Sequence, residues 1–318
     1  MARVTLHLPW IGRRLLLGLG QTAAVVLFIF VLTEALPGDA AVALAGDQPD
    51  PERIARIRET MGLDRPAAER LLEWVTGMLH GDLGTSLVTG RPVSGYLAAG
   101  LAPTLILATA TLALLVPLSV GLGVLAARRE GGLVDRTVSA LTLAVHAVPE
   151  FAFGVLLATV FGLWLGWLPP TAVGADLFSE PAVLVLPVVV LLSRPVCTIS
   201  RLVRAGMIDA MASPYVAQAR RYGLSGSRIR WAHALPNALA PATQQLARTC
   251  DWLLSGVIVV EALFVIPGLG TVLIEAVADR DVPVVQGMAV VFGVVTVLVN
   301  ISADLVARRF APRSEVAA

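Results

Sequence analysis

Six apolar stretches, each long enough to cross a bilayer, leave this chain little choice of fold. A hydrocarbon core about 30 Å thick takes roughly 20 apolar residues as one helix. Such stretches run from about Leu15 to Leu36, Ala102 to Ala126, Val138 to Leu168, Ala182 to Leu202, somewhere between Ala238 and Ile266, and Val284 to Val306. The fold expected is all-α, a polytopic membrane protein with six transmembrane helices. Composition points the same way: 56% of the 318 residues are hydrophobic and 15% are charged, where soluble chains carry about a quarter. Ala41, Ala43 and Ala45 follow the first stretch as the small residues of a signal-peptide cleavage site would. That stretch is longer than the 7 to 15 residues of a signal core, and five more follow, so it reads as a retained span.

Charge narrows the chemistry. The net charge is +1, which gives no reason to expect nucleic acid as a partner. All 24 basic residues are arginine, so a phosphate-loop lysine and a lysine Schiff base are both excluded. If ATP drives this protein, another chain binds it. Six spans put both termini on one side. That face carries fifteen arginines: Arg3, Arg13 and Arg14; Arg128, Arg129 and Arg136; Arg201, Arg204, Arg220, Arg221, Arg228 and Arg230; Arg308, Arg309 and Arg313. The opposite face carries seven, six of them in one long loop. The positive-inside rule therefore places the termini in the cytoplasm. Cys197 and Cys250 lie in or beside apolar runs without paired spacing and read as small buried hydrophobes.

Four segments follow: 1–36, the cytoplasmic N-terminus and first helix; 37–101, a small extracytoplasmic helical cap; 102–307, a core of five spans; and 308–318, a cytoplasmic tail. In the cap, Asp50-Pro51-Glu52 is a helix start, with Ile54, Ile57 and Met61 at helical spacing before Gly62. A second amphipathic helix, from about Pro66 to Leu79, is expected to pack Leu71, Leu72, Val75 and Leu79 before a turn at Gly81. This cap is either a spacer or a docking surface. The loop 204–236 has a helical run from about Pro214 to Tyr222, cut by Gly223, then a second from Arg228 to Leu235. Such a basic, partly apolar projection suits a membrane surface or a protein-binding knob.

Around Gly223 the sequence resembles the EAA loop of ABC-importer permeases. Ala217-Gln218-Ala219 precedes the glycine, and Leu235-Pro236 follows with Pro236 thirteen residues on. The first Glu is absent and His233 replaces an Ile. Other segments are similar to the peptide/nickel branch of that family, specifically the B-type permease of dipeptide and oligopeptide importers. They include Leu36-Pro37-Gly38-Asp39, Met61-Gly62-Leu63-Asp64, Gly81-Asp82-Leu83-Gly84-Thr85-Ser86, Ala102-Pro103-Thr104-Leu105 and Pro149-Glu150-Phe151. Further on stand Glu261-Ala262-Leu263-Phe264, Pro267-Gly268-Leu269-Gly270 and Arg280-Asp281-Val282-Pro283. Two positions depart: Pro236 stands where an arginine is usual, and Ala311-Pro312-Arg313 where the branch has a DPR-like end.

The resemblance implies a type I permease fold in the bacterial cytoplasmic membrane, working by alternating access. It implies a homologous second permease, two ATP-binding-cassette ATPase subunits that hold ATP and Mg, an extracytoplasmic solute-binding protein, and a peptide substrate. Nickel and glutathione systems share these motifs. No cofactor, metal or catalytic residue is expected in this chain. The projection becomes an ATPase-coupling element, with Ala217, Gln218, Ala219, Arg220, Arg221 and Gly223 at its contact.

Two rivals remain. Glu34, Glu150, Arg194, Asp251, Glu261 and Asp304 lie in or near spans and would suit an ion-coupled secondary transporter. Glu34, Arg194 and Asp304 also read as span-end charges, and no internal repeat is visible. An intramembrane enzyme is disfavoured, because His7, His80, His146 and His233 are scattered without a catalytic motif. The Gly268-Leu269-Gly270 run reads as a turn outside the membrane. The fifth span has a polar face: Gln244, Arg248, Asp251 and Ser255 recur at i, i+4, i+7 and i+11. Together with Glu261 they are the candidate translocation pathway. A helix beginning near Ala238 puts Arg248 deep in the bilayer; one beginning near Trp252 leaves it at the cytoplasmic edge.

Overall fold

The computed structural model describes residues 8–35, 42, 50–60, 62 and 64–310. Among the described residues the regular structure is helical, with one isolated bridge between Thr85 and Pro92. In chain order the elements are α1 (Leu8–Ala35), α2 (Pro51–Thr60), α3 (Ala67–Leu79), α4 (Val93–Ala127), α5 (Leu133–Ala147) and α6 (Glu150–Trp164). After them come α7 (Val185–Ala212), α8 (Pro214–Arg221), α9 (226–238), α10 (Ala240–Phe264), α11 (Leu269–Ala278) and α12 (Val282–Phe310). Four helices are long and apolar enough to cross a membrane alone, those that include Gly12–Ala35, Val93–Ala127, Pro181–Ala212 and Val282–Ser302. Two bent pairs bring the number to the six expected: α5 with α6, at 104°, and the end of α10 with α11, at 78°.

Each bend has a local cause. Val148 is held extended (φ −83°, ψ 131°) because the following Pro149 crowds a helical conformation, so the third span is broken where an unbroken one was expected. At the other bend, Val265 takes the left-handed conformation (φ 54°) and Pro267 blocks continuation. Leu269-Gly270 is then not a turn, as the sequence suggested, but the first turn of α11. A third difference lies at Val93, where α4 begins ahead of the expected Ala102. Residues 93–101, assigned to the cap, are its opening turns.

The chain forms two compact units, cut differently from the segments above: 1–104 with 267–298, and 105–266 with 299–318. In the second unit α7 is the axis, with more than half of its apolar window buried, 56% against 22% for α4. Its opening turns, Val185 to Leu192, are apolar all round, the pattern of a helix enclosed by others. Close approaches depend on glycine: a Cβ on Gly123 would stand 2.7 Å from the Ser200 carbonyl oxygen, and one on Gly206 would stand 2.7 Å from that of Ala238.

In the first unit, Val93, Leu269, Ala276, Val284 and Met288 form the core. A Cβ on Gly100 would meet the Leu269 nitrogen at 3.0 Å. That closeness lets Thr104 Oγ1 accept the Leu269 N–H at 2.9 Å, satisfying one of the open donors at the start of α11. In the cap, α2 and α3 form where the sequence placed them, and Gly62 (φ 60°) and Gly81 (φ 83°) turn the chain. The packing of α3 differs from expectation: Leu72 and Leu79 are exposed. Its inward side instead carries Trp74, whose ring stacks on Phe30 at 6.4 Å. Side chains of Ile57 and all of Met61 lie outside the described residues.

A buried carboxylate locks this unit. Asp281, 4% exposed, accepts the Ser86 hydroxyl at 2.5 Å on Oδ2 and the Leu87 N–H at 3.1 Å on Oδ1. Two sequence motifs far apart in the chain, around 81–86 and 280–283, are thereby one structural contact. We predict that Asp281→Ala, which leaves a buried hydroxyl and an N–H unpaired, costs roughly 3 kcal/mol, read as a lower unfolding temperature of the purified complex. Asp281→Asn should cost less, and equal losses for the two variants would refute this assignment.

Candidate functional site

The projection between α7 and α10 is built as a small body of its own. Helix α7 runs on to Ala212 and stops because Ser213 precedes a proline and is extended (φ −71°, ψ 153°). Pro214 opens α8, where its missing N–H costs nothing. At the other end Gly223 is left-handed (φ 75°). Its N–H reaches the Arg220 carbonyl at 3.0 Å, and the Leu224 N–H reaches that of Ala219 at 3.2 Å. This pair of bonds is the Schellman closure, and Leu224 packs onto the helix as that closure favours. Ser225 then caps α9, accepting the Arg228 N–H at 3.4 Å.

Val216, Ala219 and Ile229 are buried together, with Met211 and Leu224 against them. The projection therefore has an apolar centre of its own, joined to the bundle core through Met211 and, on α9, Ala234 and Ala238. Asn237 Nδ2 donates to the Tyr215 hydroxyl at 3.1 Å and to the His233 carbonyl at 2.9 Å, tying α8 to α9. At the root of the projection Arg204 grips Asp135 with two bonds, Nε to Oδ1 at 2.5 Å and Nη2 to Oδ2 at 2.7 Å. Asp135 also accepts the Gly131 N–H at 2.8 Å. The planar fork of arginine fits a carboxylate in this way, and it fastens α7 to the start of α5.

Of the six residues assigned to the contact, Ala217, Gln218, Arg220, Arg221 and Gly223 are exposed. Ala219, expected there for its smallness, faces inward at 9% exposure. Tyr222, not singled out in the sequence, is 77% exposed at the tip.

Helix α10 begins at Ala240 and continues unbroken through Arg248 to Phe264. Arg248 and Ser255 are exposed, while the side chains of Gln244 and Asp251 lie outside the described residues. Glu261 does not join them. It is fully buried, and at 3.6 residues per turn it sits about a third of a turn off the middle of their face.

Comparison with known proteins gives these features a frame. Residues 119–316 match the family described as binding-protein-dependent transport system inner membrane component, and residues 8–103 match the N-terminal part of such membrane components. The relative named "Probable peptide ABC transporter permease protein y4tP" of Sinorhizobium fredii is 33% identical over 96% of this chain and 98% of its own length. Glutathione transport system permease protein GsiC of Pectobacterium atrosepticum is 35% identical over 91% of this chain and 94% of its own. GsiC of Salmonella choleraesuis is 36% identical, with the same coverage of both chains.

The chain belongs to this permease family.

As a permease it is a multi-pass inner-membrane protein, and the helical reading of its sequence stands, with four single spans and two bent pairs that bring the number to as many as six. Two of its charged groups escaped that reading. Asp135 and Arg204 are 69 residues apart, and nothing local marks them as partners. Arg194, taken as a span-end charge, lies well inside α7, while Glu34 does lie at the end of α1. The side chain of Asp304 lies outside the described residues. Glu150 opens α6 at the bend, with Oε1 buried, unpaired, and 3.4 Å from where a Cβ on Gly256 would stand.

A Cβ on Gly223 meets nothing within 4 Å, so the demand there is conformational, not steric. We predict that Gly223→Val loosens the projection by roughly 1–2 kcal/mol, seen as faster amide exchange across 214–224 with the rest of the permease unchanged. Gly223→Asn should lose a fraction of that, since asparagine tolerates the left-handed region. No change with valine would show that the turn is not needed.

Proposed function

We propose that this permease imports peptides, dipeptides or oligopeptides, by alternating access driven by ATP hydrolysis on partner subunits. The names of its relatives support the substrate class, and the two glutathione permeases support glutathione, itself a small peptide, as a second reading within it. The working assembly is this chain, a homologous second permease, two ATPase subunits holding ATP and Mg, and an extracytoplasmic solute-binding protein. This chain carries out no bond-making chemistry. Both termini are cytoplasmic, on the strength of the fifteen arginines assigned to that face.

The projection is the observation that carries the coupling role. It is a closed, internally packed body whose exposed side presents Ala217, Gln218, Arg220 and Arg221. Its root is clamped by Arg204 to Asp135. A rigid element fixed to a span can pass a displacement on; a floppy loop absorbs it. It inserts into a cleft of an ATPase subunit, with Arg220 and Arg221 meeting acidic groups at the rim. In the reconstituted complex, Gly223→Val should cut the ATPase stimulation given by loaded binding protein while the basal rate persists. Full stimulation in that variant rejects the assignment.

The face of α10 is the proposed passage. We take the deep register, in which a span entered at Ala240 brings Arg248 about 12 Å along the axis, eight residues at 1.5 Å each. A charge at such depth costs at least about 2.5 kcal/mol unless it faces water or protein, so Arg248 faces the passage and meets the charged ends of a peptide, with Asp251 beside it. Replacing both by leucine should reduce peptide uptake more than tenfold while assembly is retained. If cysteines at the two positions react from the cytoplasm in every transport state, they lie at the membrane edge and the role fails. The cap, in turn, contacts the binding protein or gates the outer mouth, and removing 47–80 should abolish uptake while the ATPase subunits still assemble.

A further inference from the structure

The cap encloses a pocket that none of these roles uses. It lies between α3, the end of α1 and the start of α12, has a volume of about 340 Å³, and includes Phe30, Glu34, Arg70, Glu73, Trp74 and Asp82 among its walls. That size is within the range of small-molecule sites. Arg70 and Trp74 stand four residues apart, hence one above the other on the same side of α3. Arg70 Nη2 donates to Glu34 Oε1 at 2.5 Å, which holds the guanidinium in place. Its Nε and the Trp74 indole Nε1 are both buried and without a hydrogen-bond acceptor. Two donors of this kind are costly to leave empty, since each loses water and gains nothing. They call for a ligand oxygen.

The rim makes the opposite demand. Of its carboxylates Glu34 is paired with Arg70 and Glu73 with Arg65, which leaves Asp82, among the described residues, as the wall carboxylate without an arginine. A simple anion would be opposed at the entrance, and a simple cation would leave both buried donors unpaired. A molecule with a carboxylate at one end and an ammonium at the other satisfies both. We infer that the cap pocket binds a small zwitterion of amino-acid or dipeptide size, its carboxylate on Arg70 Nε and Trp74 Nε1 and its ammonium toward the acidic rim. The Phe30 and Trp74 rings, stacked at 6.4 Å, give the intervening carbon atoms an apolar wall. The inference rests on the peptide reading only for its choice of probe.

The test is calorimetric titration of the complete transporter, in lipid nanodiscs and without the binding protein, with dialanine as the probe. Alaninamide, which lacks the carboxylate, and N-acetylalanine, which lacks the ammonium, should each bind at least about tenfold more weakly. Trp74→Phe keeps an aromatic ring beside Phe30 while removing the N–H together with part of the ring system, so it should fold and weaken dialanine about tenfold, the order expected for one hydrogen bond to a charged group. Arg70→Gln should weaken it further. Absence of dialanine binding overturns the inference, as does binding that ignores Trp74→Phe. Peptide uptake through the binding protein is measured separately, so a failed cap site and a failed transport function give different results.

Discussion

A bilayer core holds no water to take up an unpaired backbone N–H or C=O, so a chain of this composition must satisfy nearly every such group within its own helices. Breaks in those helices are then informative, because each one frees groups that something else must cover. At the α5–α6 bend the residue that would lose an N–H is proline, which has none, and the Pro149 carbonyl accepts the Phe153 N–H at 2.9 Å. At the α10–α11 bend the Phe264 carbonyl accepts the Ala172 N–H at 2.8 Å, the Glu261 carbonyl accepts that of Ile266 at 2.9 Å, and Thr104 takes the Leu269 N–H. These bonds cover part of what each bend frees.

The parts of the fold that rest on local pattern were legible in the sequence. Helix α2 starts after Asp50, whose Oδ1 accepts the Glu52 N–H, and α8 ends at a glycine, as punctuation by Asp, Pro and Gly foretold. What escaped was long-range. The start of α4 at Val93 was hidden because Pro103 and the polar residues before it look like a boundary; the helix simply continues through them. Helix α11 was hidden because its glycines and proline resemble loop chemistry, while its start is set by Thr104, a residue from another part of the chain. Ala219 was assigned to a contact surface for being small, yet its smallness serves the interior of the projection.

Charge follows the same division. Counting arginines gave an orientation, because that rule needs only position along the chain. It could not reveal that Arg204 is an internal clamp and Arg70 the back wall of a pocket. The pairs Arg204–Asp135 and Arg70–Glu34 join residues 69 and 36 apart. Both set the geometry of a projecting element, one below the knob and one beneath the cap, so the few charges of this chain are spent where shape outside the membrane has to be held.

The Asp135 clamp bears on how the chain is made. A ribosome adding about 5 to 20 residues per second needs roughly 3 to 14 s to travel from Asp135 to Arg204, and through that interval the carboxylate has no guanidinium. It is not bare, however: the Gly131 N–H and the Ser139 hydroxyl, both within four residues, already point at it. Those two bonds are local, and so available to the carboxylate before its distant partner exists. Arg204 then meets an acceptor already oriented by its own turn.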